Sequence, residues 1–168
     1  MDPVTLPDDK PFKPATELVS PALRAAFRSW QQLAGERFAP ARKDLVPSRF
    51  RDVLNSIFLM EVIDAGKDFR FALGGEKLVR FMDGRHAGKL LSEMPENPYY
   101  TGMRIMFSLC IQMAAPVARG PFRVMRDAFD SHLMEVLIMP LSSDGKTLTD
   151  LLGVVDLKQQ SIPSAKSA

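Results

Sequence analysis

The stretch Ser56-Ile-Phe-Leu-Met-Glu-Val-Ile-Asp-Ala-Gly-Lys-Asp-Phe-Arg-Phe-Ala-Leu73 decides the fold. Its two apolar runs, rich in Ile, Val and Phe, flank Asp64-Ala65-Gly66-Lys67, a turn-forming segment. Closing the hairpin there pairs Glu61 with Arg70, Met60 with Phe71 and Val62 with Phe69. Opposite charges facing each other across the strands support that register. Because side chains alternate along a strand, Phe58, Met60, Val62, Phe69, Phe71 and Leu73 then share one wholly apolar face. The other face mixes Ile57, Leu59 and Ile63 with the ion pair. The apolar face is the expected core face.

Working outward toward the C-terminus, residues 74–98 read as short helical turns broken by Gly84, Gly88, Pro95 and Pro98. Leu78 and Phe81 lie in the first of them. A longer helix is expected over about 99–114 and ends before Pro116. Met103, Met106, Phe107, Cys110 and Met113 fall on one side of it at about 100° per residue. Strands are expected at roughly 117–125, 132–141 and 148–158, with turn signals at 127–130 and at Asp144-Gly145. On the second of these strands, Met134, Val136 and Ile138 form an apolar face opposite Leu133, Glu135 and Leu137.

Working outward toward the N-terminus, a second short helix is expected from near Pro47 toward Leu54. Before it, Ser20-Pro21 forms a helix start, with Ser20 as cap and Pro21 in the first turn. Leu23, Ala26, Phe27, Trp30, Leu33 and Ala34 recur at helical spacing until Gly35 closes the helix. That stripe suits the mixed sheet face of Ile57, Leu59, Ile63, Leu133 and Leu137, either in the same chain or on a second subunit. Leu23, Phe27, Trp30 and Leu33 are therefore the interface candidates. Residues 1–16, with Pro3, Pro7, Pro11 and Pro14, are expected to be a flexible or extended leader, and 161–168 a flexible tail. Residues 17–160 would form one domain, with helices to 54 and the sheet-bearing core over 55–160.

The order of two strands, short helices, one long helix and three antiparallel strands argues for an α+β fold and against a doubly wound parallel sheet. The 168 residues favour a single domain, and 22 Lys+Arg against 20 Asp+Glu give a charge too balanced to indicate nucleic acid. The lone Cys110 excludes an intramolecular disulfide. The start does not read as a signal peptide, and no apolar run suits a membrane span, so the cytoplasm is the expected location.

That order of elements resembles the PAS superfamily across about residues 55–160. The details resemble short stand-alone bacterial PAS proteins with an added N-terminal helix. The residues that carry the resemblance are Trp30, then Arg37, Pro40, Arg42, Asp44 and Pro47, then Phe69-Arg70-Phe71-x-Leu73-x-Gly75. Leu-Ile-Met-Pro-Leu at 137–141 and Leu152-Gly153 complete it. The resemblance implies a five-stranded antiparallel sheet with helices on one face and the N-terminal amphipathic helix added. It also implies a sensor of small molecules or protein partners, often dimeric, that feeds a regulatory pathway. The Asn-Cys-Arg-Phe-like segment of flavin-binding relatives is missing. So is a His on the long helix, which haem-binding relatives generally use, and neither cofactor is expected.

The ligand-cavity candidates are Phe58, Met60, Phe69, Phe71, Leu78, Phe81, Met106, Cys110, Met113, Met134 and Val136. The sequence has 10 Met, a flexible side chain that suits an adaptable cavity and serves equally as core filler. His86 and His132 lack ligand-spaced partners, so no metal is expected. Arg37, Arg42 and Lys43 form a basic connector, with Asp44 as a local counter-charge. No nucleophile motif is present. The leading expectation is a sensor module, not a catalyst: a homodimer that binds a small organic ligand or a regulatory protein, without nucleic acid or membrane. One alternative is an enzyme on a related curved-sheet scaffold, with Glu61, Glu135 or a histidine as base. Another is a dimerisation scaffold with a filled core.

Overall fold

The computed structural model describes residues 12–82, 84–96, 98–125 and 129–160. Its elements are β1 (Phe12–Pro14), α1 (Pro21–Ala34), a 3-10 stretch (Pro47–Ser56), β2 (Ile57–Ile63), β3 (Asp68–Gly74) and α2 (Glu76–Phe81). Then come α3 (Pro98–Met113), β4 (Val117–Met125), β5 (Ser131–Leu141) and β6 (Asp150–Gln160). All pairings are antiparallel, in the spatial order β1-β4-β5-β6-β2-β3. The fold is α+β, as expected, but the sheet has six strands and not five.

The extra strand lies in the expected leader, where Phe12 to Pro14 pair with Arg119 to Val117. An extended, proline-bearing segment suits this position because an edge strand can spare the N–H that proline lacks. Lys13 fixes it by donating to Glu135 Oε2 at 2.7 Å. The rest of the leader, residues 1–11, and the tail 161–168 lie outside the described residues.

The β2–β3 hairpin keeps the expected register near its turn, with Glu61 opposite Arg70 and Met60 opposite Phe71. A bulge then shifts it, so Phe58 meets Gly74 and Leu59 meets Leu73. One extra residue on a strand reverses the facing of the residues beyond it. Leu73 therefore leaves the core face and is 51% exposed.

Helices cover both sheet faces. Phe58, Met60, Phe69, Phe71, Met134, Ile138 and Val155 pack against α2 and α3 in one core. Leu59, Leu137, Met139, Leu152 and Val154 pack against α1 and the 3-10 stretch in the other. Helix α1 begins and ends as expected: Leu23 N–H donates to Ser20 Oγ, and Gly35, at a φ of 59°, donates to Gln31 O. Its Trp30 indole donates to Pro140 O at 2.9 Å. That proline is tolerated in a central strand because β5 pairs with β4 only as far as Ile138.

Leu23 and Trp30 are thus buried on their own chain's sheet, while Phe27 and Leu33 are partly buried. The stripe is satisfied within one chain. This corrects Leu23 and Trp30 as interface candidates, because the folded chain leaves them no free surface.

Candidate functional site

Two adjoining pockets lie on the α3 side of the sheet, and Phe58, Tyr99 and Met103 belong to both. The larger, of about 110 Å³, runs between β3, α2 and the 84–87 segment, with Phe71, Leu78, Met82 and His86 in its wall. The smaller, of about 40 Å³, runs between α3 and β4–β6, with Met106, Arg119, Met134 and Val136 in its wall.

Local sequence explains each wall. Phe58 and Phe71 point inward by strand alternation, and Tyr99, Met103 and Met106 recur at helical spacing on α3. The Phe58 ring occupies the space where a Cβ on Gly153 would sit, so it packs on bare backbone. Burial pushes the Tyr99 hydroxyl well above its ordinary range, with Tyr100 adding to the shift, so it stays protonated. The Arg119 guanidinium lies over the Phe12 ring at 5.5 Å and the Phe122 ring at 5.0 Å.

Of the expected cavity residues, Phe58, Phe71 and Leu78 line the larger pocket, and Phe58, Met106, Met134 and Val136 line the smaller. Met60, Phe69 and Cys110 are fully buried behind them as packed core. Phe69 meets Phe107 edge-on at 5.2 Å. The Cys110 thiol donates to Ala115 O, and burial pushes its pKa up to about 12, which leaves it inert. Phe81 is buried between Tyr99 and His132 and borders a separate polar groove with Lys77, Arg80 and Gln159.

Met113 is corrected: it is 58% exposed. It shares a helix face with buried Met106 but is the last residue of α3, at the helix end where the packed stripe stops. Tyr99, Arg119 and His86 were missed as wall residues, and Met103, expected on the inward stripe of the long helix but not named among the cavity candidates, lines both pockets. Tyr99 and Met103 carried a usable signal, since they extend the Met106–Cys110 stripe toward the N-terminus. Arg119 carried none, because its burial depends on β1.

The carboxylates considered as catalytic bases lie elsewhere. Glu61 accepts from Arg70 at 3.3 Å and lies 3.6 Å from Arg42, which also reaches Asp150. Burial pulls the Glu135 carboxyl upward, but Lys13 and the Val19 and Ser20 N–H groups outweigh it and hold the pKa below its ordinary value. Both acids are on the α1 side of the sheet, away from the pockets. In the basic connector, Arg37 donates to Asp44 at 2.9 Å, as expected. Asp44 is held below its ordinary pKa by the Ala41 N–H and by Arg37.

The profile of the PAS domain matches residues 18–156, most of the chain and including α1. The chain belongs to the PAS domain family. PAS domains are typically sensory or interaction modules and not catalysts. No curated protein matches the chain. Among the described residues, no group of three or more His, Cys, Asp or Glu could hold a metal ion. No helix among them is long and apolar enough to cross a membrane.

Proposed function

We propose that this PAS domain is a small-molecule sensor, taking an organic ligand between the sheet and α3 and signalling through a regulated interaction, as a homodimer or with a regulatory protein. The observation that carries the reading is the pair of adjoining pockets sharing Phe58, Tyr99 and Met103. Natural ligand sites are mostly apolar with a few polar anchors, and these walls fit that pattern. Methionines 82, 103 and 106 supply walls that can move to admit a ligand. The alternative of a catalyst is disfavoured by Glu61 and Glu135, whose charges are matched on the opposite side of the sheet.

The reading is tested by denaturing the purified protein and identifying released small molecules by mass spectrometry. A near-stoichiometric organic species, depleted in a Met103→Trp variant that fills both pockets, is expected. Equal yields from both proteins, or none, would contradict it. A second reading, a scaffold with a filled core, is favoured only by the complete burial of Met60, Phe69 and Cys110.

A further inference from the structure

The larger pocket carries an imidazole in its largely apolar wall. The His86 ring lies 5.6 Å from that of Phe71, in the wall of the larger pocket. Both ring nitrogens are shielded from solvent, and no group among the described residues hydrogen-bonds to either. A neutral imidazole offers one N–H donor and one acceptor nitrogen, and buried polar groups nearly always find partners.

The rest of the site limits what that partner can be. Arg85, the neighbouring cation, is paired with Glu76 and so already has its counter-charge. Arg119, the cation in the wall of the smaller pocket, lies over the Phe12 and Phe122 rings, so beside His86 the wall of the larger pocket favours an uncharged hydrogen-bonding group over an anion. Phe58, Phe71 and Tyr99 supply aromatic surface for the remainder of the molecule. An apolar cavity of about 150 Å³ accommodates benzene. The larger pocket, of about 110 Å³, approaches that scale, and Met82 and Met103 in its wall are side chains flexible enough to widen it.

We propose that the cavity selects a monocyclic aromatic molecule bearing a hydroxyl group, with its ring against Phe58 and Met103 and its hydroxyl on the His86 imidazole. This rests on the small-molecule reading above and names the class of ligand. The hydroxyl donates a hydrogen bond to the acceptor nitrogen or accepts one from the N–H, so either tautomer of His86 serves.

The test uses the full chain with ¹³C-methyl-labelled methionine, titrated with phenol, toluene and benzoate. Phenol and toluene are expected to shift the Met103 methyl signal, with phenol binding about tenfold tighter, the factor one hydrogen bond supplies. His86→Leu should bring the two affinities together, and His86→Gln, which keeps a hydrogen-bonding side chain, should restore part of the preference. Equal affinities for phenol and toluene in the wild type would overturn the hydroxyl assignment and leave the cavity reading standing. Tighter binding of benzoate would overturn the choice of an uncharged group. No shift of Met103 with any probe would overturn both the ligand class and the cavity.

Discussion

Phe58 and Gly153 are direct cross-strand partners in the β2–β6 ladder, and the Phe58 ring covers the spot where any side chain at 153 would begin. The absent side chain lets the ring pack directly on the β6 backbone at this position. Gly153→Ala should push the ring toward α3, into both pockets. Overpacking of this kind destabilises by about 1–3 kcal/mol. Urea unfolding should show that loss, and probe binding at Met103 should weaken with it. A variant that keeps both stability and binding would show that the ring has room to move aside.

Trp30 fills the α1-side core and donates its indole N–H to Pro140 O. Trp30→Ala should cost about 3–5 kcal/mol, the range for large core truncations. Since α1 packs on its own chain, the difference between variant and wild type should be the same at every protein concentration. A variant as stable as wild type would contradict the buried helix.

The hairpin, the long helix and the final strands were legible because periodicity and turn residues are local signals. The β3 bulge was not, since nothing in Phe71-Ala72-Leu73 marks an extra residue. A second bulge, between Arg119 and Phe122 in β4, did carry a signal in Gly120-Pro121, a pair that breaks a strand ladder. Strand β1 was hidden because a proline-rich segment reads as extended whether or not it pairs, and its anchor, Glu135, is far away in sequence. At the site, strand and helix periodicity located Phe58, Phe71 and Met106. His86 sits in a loop, where no period predicts which way a side chain faces.

Met106 and Met113 share the expected stripe of α3 but differ in fate, one buried and one exposed. Met106→Ala should destabilise by about 2–5 kcal/mol. Met113→Ala should stay within about 0.5 kcal/mol of wild type, as surface changes do. Thermal unfolding of the pair checks the assignment, and similar losses would put Met113 back in the core.

Glu135 ties β1 and the start of α1 to the sheet, accepting from Lys13, Val19 N and Ser20 N. Its folded pKa lies below the ordinary 4.5. Its contribution is therefore fully present above that value and is lost as the pH falls through the lower folded value. Glu135→Gln should remove about 2 kcal/mol at neutral pH, the scale of charge-assisted hydrogen bonds. It should also flatten the acid side of the stability–pH curve. A variant with the wild-type acid dependence would show that other carboxylates govern it.

A homodimer in solution is expected from the proposed signalling role, and light scattering at high micromolar concentration checks it. Since Leu23 and Trp30 are already buried, Trp30→Ala should change association only through unfolding. A monomeric wild type would leave partner binding as the output of the sensor.

The central claim is that a small molecule resides between the sheet and α3, and intermolecular nuclear Overhauser effects measure this most directly. With the molecule released from the purified protein returned to ligand-free chain, contacts are expected from its protons to the Met103 and Met106 methyl groups and to the Phe58 ring. Contacts confined to exposed side chains such as Met113, or none at all, would contradict the account.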